Sequence, residues 1–122
     1  MPLQVEVSEN GLAMFFKDWQ VKVLKVLWEK RPEGANSREV FYKVNELLSD
    51  SISRASVINF LNAMVDEEYL NYSERTGKGG HQRVYYAKYD ETRFKENLVK
   101  SILAKFLEEY PDAMKVAIQR SV

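Results

Sequence analysis

The chain contains no cysteine, so it forms no disulfide and no thiolate metal site, and it fits a reducing compartment such as the cytoplasm. Its one histidine, His81, makes neither a metal cluster nor half of a catalytic pair. No apolar run approaches the roughly 18 residues of a membrane span. No basic, apolar and small-residue leader pattern opens the sequence. Clustered acids are missing too: Glu67-Glu68 and Glu108-Glu109 are adjacent pairs that a helix would turn to different sides. No nucleophile–base pair can be assembled from this inventory, so the expectation is a non-enzymatic protein with no metal and no cofactor. Nor is there an excess of one charge, since 18 Lys and Arg balance 18 Asp and Glu. What is present is an ordinary globular balance, 45% apolar and 30% charged over 122 residues, enough for one domain with a real core.

The stretch from Ser51 to Tyr89 organises the rest. Ser51-Ile52-Ser53-Arg54-Ala55-Ser56 offers hydroxyls to cap a helix. The helix runs over about 53–68, with Val57, Phe60, Leu61, Met64 and Val65 on one face. At about 100° per residue the opposite face holds Ala55, Asn59, Asn62 and Asp66, flanked by Ile58. Two alternating strands follow, Tyr69–Glu74 and Arg83–Tyr89, joined by a glycine-rich basic turn from Arg75 to Gln82. A helix followed by a hairpin with a basic tip is the read-out half of a winged helix-turn-helix. The window 75–89 holds Arg75, Lys78, Arg83 and Lys88 and no acid. The glycines at 77, 79 and 80 lack the spacing of a phosphate loop and join strand to strand, which makes them turn residues.

Upstream, Leu3-Gln4-Val5-Glu6-Val7 alternates, Leu12–Phe16 is bulky and apolar, and Asn10-Gly11 lies between them. That pattern predicts an N-terminal β-hairpin over 1–16; the competing reading is a floppy arm. Trp19, Val23, Leu24, Val26 and Leu27 give the buried face of a first helix, with Trp28 as a core anchor, ending at Arg31-Pro32-Glu33-Gly34. A second helix starts at Asn36-Ser37 with Val40, Phe41, Val44, Leu47 and Leu48 inward, and Ser49-Asp50-Ser51 is the turn before the next. Asp90-Glu91-Thr92 opens a long helix whose apolar stripe is too wide for one small domain to cover, and Pro111 separates it from a last short helix. The surplus apolar surface predicts a homodimer joined through Phe94, Leu98, Ile102, Phe106, Tyr110, Met114 and Ile118. The expected division is therefore 1–16, a DNA-binding domain over 17–89, and dimerisation helices over 90–122. The fold class is α+β and mostly helical.

Trp19-Gln20-Val21-Lys22-Val23-Leu24-Lys25-Val26-Leu27-Trp28, Ile52-Ser53-Arg54-Ala55-Ser56-Val57 and Arg83-Val84-Tyr85-Tyr86, with the helix–break–helix tail from Phe94 to Ile118, resemble the penicillinase-repressor (BlaI/MecI-type) family of winged-helix transcriptional repressors. The resemblance covers about residues 17–120, as a pattern of residue types rather than an invariant signature. It implies a homodimer joined through the C-terminal helices, with paired recognition helices in successive major grooves of a pseudo-palindromic operator in double-stranded DNA. It places Ser53, Arg54, Ala55, Ser56, Ile58, Asn59 and Asn62 at DNA-facing positions and puts Arg75 through Arg83 on the wing. Where the family often carries basic residues this chain has Ile58 and Asn59, and the cysteine motif of the copper-responsive branch is absent.

Each candidate has a plainer alternative. Arg54 can contact phosphate or guanine, or be a solvated surface arginine. Asn59 and Asn62 have the groups to read adenine, although exposed helix asparagines are commonplace. Ser51, Ser53 and Ser56 suit phosphate, yet capping alone accounts for one of them. Lys78, His81 and Arg83 are phosphate or minor-groove contacts, or a charged loop that aids solubility. The alternative function is a winged-helix module that binds protein as a subunit of a larger complex. It is motivated by the zero net charge and by the strand edge of an N-terminal hairpin. The operator, the inducing signal and any small-molecule effector are not written in these residues.

Overall fold

The structure, a computed structural model, describes residues 4–77 and 80–121. The first helix, α1, spans Asp18–Glu29 and buries Val23, Leu24, Val26 and Leu27. The Gln20 side chain turns back to accept from the Lys17 N–H at 2.8 Å, supplying a partner for a donor that a helix start leaves open. After α1 the chain passes Gly34 and enters a two-residue strand, β1 (Ala35–Asn36). At Gly34 φ is 78° and an added Cβ would lie 2.5 Å from the Tyr85 carbonyl oxygen. Only glycine lets the backbone lie this close in this conformation.

Helix α2 (Ser37–Leu47) starts with a reciprocal cap. Asn36 Oδ1 accepts from the Glu39 N–H at 2.9 Å, and Glu39 Oε1 accepts from the Asn36 N–H at 3.2 Å. Helix α3 (Arg54–Asp66) buries Val57, Phe60, Leu61 and Met64. It ends in a Schellman arrangement: Tyr69 N–H bonds the Met64 carbonyl at 2.9 Å and Glu68 N–H the Val65 carbonyl at 3.0 Å. Glu68 takes the left-handed position, φ 67°, where glycine is usual. The chain then forms a hairpin of β2 (Leu70–Gly77) and β3 (Gly80–Ala87). Pairing runs from Leu70 opposite Ala87 to Gly77 opposite Gly80, and the three-stranded antiparallel sheet has the order β1-β3-β2. Leu70, Val84, Tyr85 and Ala87 anchor the hairpin in the core, while most of its distal half is exposed. This is an α+β winged-helix fold. The core lies where α1, α2 and α3 meet one another and the sheet. Phe60 takes edge-on contacts from Phe16 and Trp19, with ring centroids 6.0 and 5.5 Å away.

A second compact unit begins at Glu91. It contains α4 (Glu91–Glu109) and α5 (Pro111–Ser121). Proline at the first position of α5 gives up a donor that would have no helical partner.

Several expectations change. Among the described residues, 4–16 contain no strand. Glu6 N–H bonds the Met14 carbonyl at 2.7 Å across a turn, and Gly11 (φ 58°) opens a 3-10 turn, Gly11–Met14. Burial of Phe16 and half-burial of Leu12, Met14 and Phe15 draw the segment inward, whereas Val7 stays 81% exposed and gains nothing from the alternation. Trp28 is half-buried rather than a core anchor, and Leu47 of α2 is exposed. In α4, Phe94 and Leu98 are buried within the chain itself. That removes both from any surface left for a partner and corrects their assignment to a dimer interface.

Candidate nucleic-acid interface

The segment between α2 and α3 is held by one side chain. Asn45 Oδ1 accepts from the Ile52 N–H at 2.8 Å, while its Nδ2 donates to the carbonyls of Phe41 at 2.9 Å and Ile52 at 3.4 Å. That sets the angle at which α3 leaves the turn. At the start of α3 the Ser53 hydroxyl accepts from the Ser56 N–H at 3.1 Å and pairs with the Ser56 hydroxyl at 2.9 Å. Both hydroxyls are thus engaged in the cap. Arg54, Ala55 and Asn59 are exposed on the outer side of α3, Ile58 and Asn62 are half-buried beside them, and Ser51 is exposed in the preceding loop.

The hairpin register sorts the wing residues by face. His81, Arg83 and Tyr85 alternate along β3 on one face, whereas Arg75, opposite Gln82, belongs to the other. Lys78 lies outside the described residues. A cleft of about 220 Å³ opens between the start of α2, α3 and β3. It brings together Arg54, Ile58, Asn62, His81 and Arg83 of the expected residues, and it leaves out Ser51, Ser53, Ala55, Ser56, Asn59 and Arg75. Asn36, Ser37, Arg38 and Gln82 complete the wall beside Tyr85.

Among the described residues no acid lines this cleft, whereas Arg38, Arg54 and Arg83 do. The hairpin does bring Glu74 opposite Arg83, which a reading of the 75–89 window alone passes over. Yet the Arg83 guanidinium lies over the Tyr72 ring, 4.1 Å from its centroid, and Nη1 donates to Asn62 Oδ1 at 3.2 Å. The same Oδ1 accepts from the Tyr85 hydroxyl at 2.7 Å. Burial raises the Tyr85 phenol above its ordinary value of 10.0, against the opposing pull of Arg83. Asn36, besides capping α2, donates through Nδ2 to Gln82 Oε1 at 3.2 Å.

Sequence reasoning missed Arg38, Asn45 and the tie between Tyr85 and Asn62. Arg38 follows directly on the Asn36–Glu39 capping pattern, which places it in the first turn of α2; that much was readable. The Asn62 partners were not, because they lie 21 and 23 residues away in sequence. Among the described residues no group of three His, Cys, Asp or Glu is placed to hold a metal ion. No described helix is long and apolar enough to cross a membrane.

A family model described as "Penicillinase repressor" matches residues 17–121. No curated protein matches the chain. Among solved structures, TA0346 from Thermoplasma acidophilum, described as a transcriptional regulator, is similar with a TM-score of 0.51 at 18% identity, covering 83% of this chain and 82% of that one. The complex structure of hsRosR-S4 is similar with a TM-score of 0.52 at 16% identity, covering 87% of each chain. At these identities the likeness is one of fold.

Proposed function

The chain belongs to the penicillinase-repressor family and is a DNA-binding transcription regulator; from that premise we propose that it acts as a dimeric, sequence-specific repressor. The observation that carries this reading is the cleft that Arg54 at the start of α3 lines together with His81 and Arg83 of the wing, with no acid among its described lining residues. Helix α3 enters the major groove with Arg54, Ala55, Ile58 and Asn59 toward base edges. Ser51, Arg75, Lys78, His81 and Arg83 contact the sugar–phosphate backbone or the adjacent minor groove, and the hydroxyls of Ser53 and Ser56 serve chiefly to start the helix. Arg38, in the first turn of α2, adds a further phosphate contact.

Two-fold pairing comes from the second unit. Val99, Leu103, Phe106, Leu107, Tyr110, Val116 and Ile118 are exposed there, with Ile102 and Met114 half-buried, more apolar surface than two monomeric helices leave in water. The dimer presents two copies of α3 to a pseudo-palindromic operator.

The test is an anisotropy titration with promoter DNA from upstream of the protein's own gene. At about 50 mM salt the expected outcome is binding well above that of a scrambled duplex, weakening as salt rises. Equal affinity for both duplexes removes sequence-specific regulation. The second reading, a protein-binding subunit, loses one of its motives, since no N-terminal strand edge forms among the described residues.

A further inference from the structure

Asn62 faces the cleft, and its residue type suits adenine, which takes one hydrogen bond from the amide nitrogen and gives one to the amide oxygen. In this structure the oxygen is already taken. It accepts from the Tyr85 hydroxyl at 2.7 Å and from Arg83 Nη1 at 3.2 Å, two donors for the two lone pairs of an amide oxygen. Tyr85 is 2% exposed, so turning Asn62 toward a base would cost its buried hydroxyl that acceptor. Arg83, by contrast, is exposed and has an acid, Glu74, across the hairpin. Left to itself, an arginine there has a carboxylate within its strand pair to turn to. Asn62 and the face of Tyr72 hold it instead, and among the described residues no ion pair joins it to Glu74.

We propose that Asn62 is a positioning residue, not a base reader: it locks the wing to the recognition helix and holds the Arg83 guanidinium for a DNA phosphate. This rests on the DNA-binding reading above. An arginine fixed before binding loses less side-chain freedom on meeting its phosphate. Asn62 therefore acts on DNA only through Arg83, and it supports every sequence equally.

The experiment is a double-mutant cycle in DNA affinity, on duplexes enriched from a random pool by the wild-type protein. Asn62→Ala, Arg83→Ala and the double variant are titrated, with melting temperatures measured alongside. Losing a hydrogen-bonded contact to a charged phosphate predicts about tenfold weaker binding for Arg83→Ala. Asn62→Ala is expected to weaken binding severalfold, to leave the enriched sequence unchanged, and to add nothing in the Arg83→Ala background. Tyr85→Phe is the second variant. Its side chain is buried, so a loss of affinity that also vanishes without Arg83 supports the same linkage. Additive effects of Asn62→Ala and Arg83→Ala, or a changed base preference in Asn62→Ala alone, overturn the proposal while the DNA-binding reading stands. A wild-type protein that enriches no duplex overturns both.

Discussion

Two backbone positions in the wing-bearing unit show how a single residue's conformation bears on stability. Gly34 combines a left-handed φ with an approach that leaves no space for a Cβ against the Tyr85 carbonyl. Gly34→Ala is expected to cost about 2 kcal/mol or more, because L-residues pay for that conformation even before the clash. The melting temperature reads this out, and an unchanged value would mean the loop has room to move away from β3. Glu68 is the reverse case, a side chain in the left-handed cap of α3 where glycine is usual. Glu68→Gly is expected to be neutral or to stabilise by up to about 1 kcal/mol in urea unfolding. Tyr85 makes stability depend on pH at the alkaline end. Its phenol is raised above 10.0 by burial, so the unfolded chain gives up that proton first and the folded state binds more protons. Stability is then full below pH 10 and falls as pH rises through the folded-state value. In Tyr85→Phe the alkaline loss of stability should be shallower; an equal slope in the variant would assign the effect to other groups.

At the scale of the element, the segment between α2 and α3 depends on Asn45, whose amide serves Ile52 through both its groups and the Phe41 carbonyl as well. Helix α3 is tied to the rest by its apolar face and by this segment, so the segment decides where its outer residues point. Asn45→Ala removes partners from partly buried backbone groups and should cost about 1–3 kcal/mol. The Ile52 amide proton should exchange faster in that variant even under conditions where the fold persists. Unchanged protection at Ile52 would show that water or another group replaces the asparagine. The wing is organised in a similar way. Its exposed distal half is anchored by Leu70, Val84, Tyr85 and Ala87, and ties from Asn62 and Asn36 hold β3 against α3 and the start of α2.

For the whole molecule, the zero net charge matters less than its distribution. Balanced totals conceal a cleft whose described lining residues include Arg38, Arg54 and Arg83 and no acid. Of the acids, Glu74 sits across the hairpin from Arg83, and others form ion pairs along α4 such as Glu91–Lys95 and Glu109–Lys105, both 2.8 Å. Exposed i,i+4 pairs of this kind contribute little to stability. The larger question at this scale is the proposed association through the second unit. Phe106 is 46% exposed in the middle of an apolar surface, and Phe106→Asp puts a charge where pairing would have to desolvate it. Light scattering should find two chains per particle in the wild type and one in the variant. A monomeric wild type would withdraw the dimer, and with it the two-fold operator.

Local chemistry carried much of the architecture. The apolar spacing of α1 and α3, the Asn36–Glu39 cap, Pro111 after α4 and the alternation of β2 and β3 all act within a few residues, so the sequence by itself determined the order of the five helices and the wing hairpin and which helix carries the exposed polar face, but neither β1 nor the N-terminal turn. Distant burial decided the rest. Phe16 drew the N-terminal segment into a turn although Asn10-Gly11 favours a hairpin, and Phe94 and Leu98 were taken into the chain's own interior and away from a partner. Asn62 has the residue type of a base reader, but its oxygen is occupied by Arg83 and Tyr85 from a hairpin that begins only after α3 has ended. Hydrogen bonds between residues far apart in the chain leave no periodic trace, because each needs only the right atoms at the right distance once the fold has brought them together.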